Sequence, residues 1–286
     1  VVDRNGEPAM DAASGLPLPG TRSLWSDVPD ADLLAGGAAG QLPTVDARRL
    51  YSDVSSSRLL DAANRLVPGN TRVDRAALGL GAMDPESVES VLAWLAEERR
   101  LGDPGTDAPI VVEDVAGGQD VVLSANQDGL LQAFDADSGV EIWAWMPKAL
   151  LPRIPELARD APTTRRSHGI DGRLVLNVLD ANGDGRFDAA AGEHRWLLFG
   201  LGRGGARYYA LDLARIDDPR LMWTFDLGSP ELHALAEPVV TRMPLADSGQ
   251  SAGNWVVLLA GGYDPRFDAV AAGGRRRLRL RIAEHG

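Results

Sequence analysis

Val121-Val122-Leu123-Ser124-Ala125 runs into Asn126-Gln127-Asp128-Gly129, and Leu130-Leu131-Gln132-Ala133-Phe134-Asp135 leaves it. The chain then continues Ala136-Asp137-Ser138-Gly139-Val140-Glu141-Ile142-Trp143. Short β-branched and apolar runs split by Gly, Asp and Asn predict antiparallel strands joined by tight turns. Outward from this stretch the same pattern recurs. Asp107-Ala108-Pro109-Ile110-Val111-Val112 precedes it, and Glu237-Pro238-Val239-Val240 stands in the same relation to Trp255-Val256-Val257-Leu258-Leu259-Ala260-Gly261-Gly262-Tyr263-Asp264. Between these copies, Trp196-Leu197-Leu198-Phe199-Gly200-Leu201-Gly202-Arg203-Gly204-Gly205 leads to Tyr208-Tyr209-Ala210-Leu211-Asp212 and ends at Trp223.

Repeated four-stranded units with a turn glycine and a late tryptophan are the pattern of propeller blades. A blade cannot cover its own faces, so Trp143 and Trp223 are expected to pack on neighbouring units. They stand 80 residues apart, more than the ~40–50 of one blade, so an insertion, expected to contain residues 180–188, lies between the units. Gly200-x-Gly202-x-x-Gly205 matches a dinucleotide fingerprint by letter, but Ala206–Asp212 reads as a strand rather than a helix, so these glycines are assigned to a turn.

The segment Asp180-Ala181-Asn182-Gly183-Asp184-Gly185-Arg186-Phe187-Asp188 carries oxygen-bearing side chains at positions 1, 3 and 5, glycine at position 6 and Asp at position 9. This is the donor spacing of an EF-hand-type calcium loop, in which hard oxygens and one backbone carbonyl, here of Arg186, converge on the ion. Position 12, normally a bidentate Glu, is Ala191. Glu193 substitutes only if the exit path differs, and Asp188 closing a shorter loop is the simpler reading. The expected metal residues are Asp180, Asn182, Asp184, Arg186 and Asp188, with Ca²⁺ as the cofactor.

The 286 residues include 29 basic and 41 acidic side chains, a net charge of −12, and no cysteine. That balance argues against sequence-independent nucleic-acid binding and against docking on anionic lipid. Lack of cysteine removes disulfides, Cys-ligated zinc and thiol catalysis. Apolar runs fall short of the ~20 residues of a spanning helix. The chain opens Val1-Val2-Asp3 with no export signal, which is expected to lie outside it. His168, His194, His233 and His285 lack metal-ligand spacing and read as surface or turn residues, and no catalytic group is legible.

Residues 1–100 read as a loop-rich lead-in with one α-helix over about 84–99, capped by Asp84 and opened by Pro85 and Glu86. Residues 271–286 form a divergent basic tail, +4 against −16 for the remainder, which interrupts the third repeat. About three units are fewer than a closed propeller needs, so the chain is expected to be a fragment, or to have its open edge covered by the N-terminal segment or a partner.

Leu101-Gly102-Asp103 before Ala108–Val112, Ala125–Gly129 with Ala133-Phe134-Asp135, and Gly200–Gly205 with Tyr208–Asp212 together resemble the C-terminal β-propeller region of the PilY family, the type IV pilus assembly and tip-associated adhesin proteins. Gly36–Ala39 and Arg49-Leu50-Tyr51 resemble the stretch preceding it. The resemblance implies a mainly β fold, a partial or modified β-propeller with quinoprotein-like blades over 101–270. It further implies a non-enzymatic, exported protein at the cell surface or pilus, with calcium held by Asp180, Asn182, Asp184 and Asp188. Pilus subunits or minor pilins, and a host surface, are the implied partners. The string Ala-x-Asp-x-x-Ser-Gly-x-x-x-Trp also resembles quinoprotein dehydrogenases, but the cysteine pair and full ring of those enzymes are missing. A metal-independent envelope assembly scaffold is the third reading.

Overall fold

The computed structural model describes residues 3–16, 18–26, 29, 36–97, 101–104, 108–113, 119–159, 168–185, 187–243 and 254–268. The expected basic tail, His285 and Arg186 lie outside them. The described residues are mainly β, in three sheets of which none closes on itself.

The first sheet contains β1 (Leu50–Tyr51), β2 (Ile110–Val112), β3 (Val121–Ala125), β4 (Leu131–Asp135) and β5 (Glu141–Trp145), in the order β1-β5-β4-β3-β2. The second contains β6 (Val175–Leu179), β7 (His194–Gly200), β8 (Arg207–Asp212) and β9 (Arg220–Asp226) as an antiparallel meander. A hairpin of β10 (Val239–Met243) and β11 (Asn254–Leu258) comes after it in the chain. The repeat seen in the sequence is a repeat of register. Ala133 faces Trp143 and Ala210 faces Trp223, and in each meander the pairing slips just after that alanine. An extra residue at such a slip bends the strand and raises its twist.

The two meanders share one apolar core. Trp145 of β5 meets Phe199 and Tyr209 edge-on at 6.5 and 5.7 Å, and Phe199 stacks on Tyr209 at 5.4 Å, separations at which aromatic pairs attract. Trp143 is fully buried, and its indole N–H donates to Ile216 O at 3.1 Å in the β8–β9 connection. Trp223 is half-buried in a second, smaller core with Leu227, Val257 and Leu259. Trp143 therefore packs on the neighbouring unit, while Trp223 packs on a cluster shared by its own meander and the hairpin.

The N-terminal stretch has little regular structure before its helix, yet it belongs to the core. Leu50, Leu59, Leu66, Val73, Leu78 and Leu80 are buried in the main core, and β1 lies parallel on β5, Leu50 facing Ala144 and Tyr51 facing Trp145. Leu59 N donates to Pro219 O and Leu221 N to Ser57 O, so the same segment also pairs with the start of β9. Asn64, fully buried, organises it: Oδ1 accepts the amides of Ser55 and Ser56, and Nδ2 donates to the carbonyls of Ser56 and Arg58. The outer edges of both meanders are thus partly covered from within the chain, as unpaired strand edges require.

There are two α-helices among the described residues rather than one. α1 spans Val88–Glu97 and so starts later than the expected 84, while residues 98–99 of the expected helix lie outside the described residues. Ser87 and Ser90 cap it reciprocally, each hydroxyl accepting the other's amide at 3.0 Å, as in a capping box. Asp84 and Glu86, expected to start the helix, instead bind Arg159 of α2 (Arg153–Arg159). Pro155 sits in the first turn of α2, where the missing N–H has no helical acceptor. The expected insertion between units is the segment from Met146 to Leu174 that carries α2. The Asp180 loop lies elsewhere, inside the second meander at the β6–β7 hairpin.

Candidate metal centre

The loop begins as β6 ends. Gly183 and Gly185 adopt φ of +74° and +71°, left-handed positions that glycine takes without strain. These turns aim amides inward at Asp180: Oδ1 accepts Gly183 N at 2.7 Å and Oδ2 accepts Gly185 N at 2.8 Å. The Gly185 amide, with smaller help from the amides of Gly183, Asp184 and Asn182, holds the Asp180 carboxyl below the usual range against the opposing effect of desolvation. It is therefore ionised throughout the neutral range. Asn182 Oδ1 accepts Asp184 N at 2.9 Å, and its Nδ2 donates to Asp184 Oδ2 at 3.1 Å. Asp188 Oδ1 accepts Ala190 N at 2.8 Å and caps the 3₁₀ turn Ala189–Ala191.

The structure therefore gathers Asp180 with the loop amides and pairs Asn182 with Asp184, while Asp188 serves the exit turn. Among the described residues no three His, Cys, Asp or Glu side chains stand in an arrangement that would hold a metal. The donor chemistry nonetheless fits a hard divalent cation, since the four named side chains present only carboxylate and amide oxygens. Binding would require these side chains to converge on one point, with Asp184 Oδ2 exchanging the Asn182 amide for the ion where that oxygen is the ligand.

Spacing alone favours Asp188 over Glu193 as the residue that closes the loop, and the structure gives Glu193 a larger part. Glu193 is 5% exposed, and its two oxygens accept amides from both ends of the loop: Ala181 N to Oε1 at 3.0 Å and Asp188 N to Oε2 at 2.8 Å. Its only mark in the sequence is a lone acid immediately before a strand, two places beyond the standard position. Beside it, the Arg195 guanidinium lies 4.1 Å from the centre of the Phe187 ring. Asp180, Gly185, Phe187 and Glu193 line a cleft of about 230 Å³ together with Val111, Val112 and Glu113 of the β2 segment.

A second polar cluster joins the turns of the two meanders. Asp171, nearly buried, accepts Gln127 Nε2 at 2.6 Å and Arg203 Nε at 2.6 Å, and Gln127 Oε1 meets His168 Nδ1 at 3.0 Å. Burial pushes the Asp171 carboxyl upward, but its bonds from Arg203 and Gln127 outweigh this and leave it below the usual range. The glycines of Gly200–Gly205 serve this junction rather than a nucleotide: a Cβ on Gly204 would lie 1.8 Å from Gly169 O. His194 departs from its expected surface position. It is 8% exposed, stacked on Trp196 at 3.5 Å and edge-on to Trp255 at 5.1 Å, where the β10–β11 hairpin meets the second sheet.

No family model matches the chain. Over 155 residues it is 32% identical to the type IV pilus biogenesis factor PilY1 homolog of Xylella fastidiosa, a match covering 52% of this chain and 11% of that protein. Over 152 residues it is 28% identical to the type IV pilus biogenesis factor PilY1 of Pseudomonas aeruginosa, covering 52% and 12% respectively. The chain thus matches about a tenth of the length of these relatives. The crystal structure of the Pseudomonas aeruginosa PilY1 C-terminal domain aligns with 51% of this chain and 25% of its own at 24% identity and a TM-score of 0.34, too low for that likeness to inform the fold. The sequence matches agree with the resemblance to the PilY family read from the sequence: about half of the chain is similar to these PilY1 proteins.

Proposed function

We propose that this chain is a calcium-binding, non-catalytic part of a type IV pilus biogenesis and adhesion protein, exported to the cell surface or pilus and built on propeller-type blades. The observation that carries the reading is the similarity to PilY1 pilus biogenesis factors in a chain whose β6–β7 hairpin has calcium-loop spacing. Two four-stranded meanders in the same register support the blade reading.

Asp180, Asn182, Asp184 and Asp188, with the Arg186 carbonyl, would hold Ca²⁺, which supplies a fixed double positive charge among carboxylates that otherwise repel one another. The chain's own contribution is orientation. Amides of Gly183 and Gly185 fix Asp180 at the loop entrance, and the loop lines one cleft with β2 residues. Stiffening that lining is how calcium would alter the face offered to a pilus subunit, a minor pilin or a host surface.

Calorimetric titration of the wild type and Asp184→Ala with Ca²⁺ tests the reading. One-to-one heat in the first and none in the second is expected. Lack of heat in both would return the chain to the metal-independent scaffold reading. In cells, pilus assembly that responds to chelator in the wild type but not in Asp184→Ala is the matching phenotype.

A further inference from the structure

We infer that Glu193 is the positioning residue of the Asp180 loop: a buried clasp that ties the loop's two ends together without itself touching the ion. The inference rests on the calcium reading above and adds to it a residue outside the nine-position pattern.

The geometry is specific. The two carboxylate oxygens of Glu193 are spent on different ends of the loop, one on the amide after Asp180 and one on the amide of Asp188. Each amide belongs to, or directly follows, an expected ligand. With 5% exposure, Glu193 meets little competition from water, and hydrogen bonds to a charged acceptor are roughly twice as strong as neutral ones. In a standard loop a Glu at position 12 closes the far end by binding the ion with both oxygens. Here Ala191 occupies that place, and closure comes from a carboxylate bound to backbone at both ends. The backbone at the two ends of the loop, beside Asp180 and at Asp188, is thus tied together before an ion arrives, so the ion has less chain to order.

Removing the clasp should weaken calcium without changing the ligand set. The test uses the whole chain as wild type, Glu193→Gln, Glu193→Asp and Asp184→Ala, with calorimetry for Ca²⁺ and Tb³⁺ luminescence lifetimes in H₂O and D₂O to count waters on the bound ion. Glutamine keeps the length but only one acceptor oxygen; aspartate keeps the charge but is too short to span both amides. Both are expected to bind one Ca²⁺ with about tenfold weaker affinity and an unchanged water count, whereas Asp184→Ala loses binding. Should one variant fail to fold, as judged by its melting curve without metal, the other carries the test. Calcium affinity within twofold of the wild type in the folded variants would overturn the clasp. A rise in the water count would overturn it as well, by making Glu193 a ligand. A wild type that binds no calcium refutes the calcium reading itself, a result distinguishable from the others because Asp184→Ala then matches the wild type.

Discussion

The two meanders share a register but fill it differently. In the first, Phe134 faces Glu141, whose buried carboxylate binds Arg48 at 2.8 Å and Gln132 Nε2 at 2.7 Å, while Gln132 Oε1 accepts from Asn126. In the second, the matching pair is Leu211 and Leu221, and Tyr209 takes the place of Gln132. Polar groups inside the first sheet bind it to the N-terminal segment through Arg48. The second sheet is apolar at these positions, and its β6–β7 hairpin carries the candidate ion site. A common backbone frame therefore permits one unit to specialise in anchoring and the other in candidate ion binding.

The sharpest way to break the comparison is at the two late tryptophans. Trp143→Ala, which empties a fully enclosed site, is expected to cost about 3–5 kcal/mol, and Trp223→Ala, half-exposed, about half as much. Urea unfolding of both variants checks this, and equal losses would mean that the two units are equally enclosed. Next, Arg48→Ala leaves Glu141 charged and buried without its partner, at about 3–4 kcal/mol. Replacing Arg48 with Met together with Glu141→Leu, which imitates the second sheet, is expected to restore most of that loss.

The third prediction concerns the hairpin alone. At Ca²⁺ a hundred times its dissociation constant, the wild type should gain about 2.7 kcal/mol in stability and Asp184→Ala none, as read by melting with calcium against chelator. The smallest effect lies where the meanders meet. Asp53 accepts Lys148 N at 2.7 Å, and its carboxyl is pushed upward by burial, with the Lys148 amide and the charges of Lys148 and Arg207 opposing this. A raised acid binds its proton more tightly when folded, so its ionisation removes stability as pH rises from its ordinary value of 3.8 through the raised one. Asp53→Asn keeps an acceptor oxygen and should match the wild type near pH 3 but melt slightly higher at pH 7.

The repeat was legible because its marks are local. Turn glycines, β-branched runs and a tryptophan following Ala-x-Asp report strands and register without knowledge of distant partners. The N-terminal contribution was not, since Leu50, Leu59, Leu66 and Leu78 obey no period and meet partners far along the chain. Asp84-Pro85-Glu86 matched a helix start by residue type, yet Arg159 claims those acids and Ser87 with Ser90 takes the cap. For the candidate site, the nine-residue spacing was readable from its alternation. Glu193 was not, because its role depends on the chain turning back after Gly192, at φ +81°, toward two amides that no spacing rule links to it.

The pairing of Leu50 with Ala144 also sets a timetable for biosynthesis. At roughly 5–20 residues per second, a ribosome needs about 5–20 s to make the 94 residues that separate these partners. Over that interval the nascent chain holds apolar side chains such as Leu59 and Leu66 whose destination has not been translated. The later junction of Arg58 with Arg220 lengthens the wait further. Helpers that shield emerging chains should therefore matter more for the first third of this polypeptide than for the meanders, which can zip up as they appear.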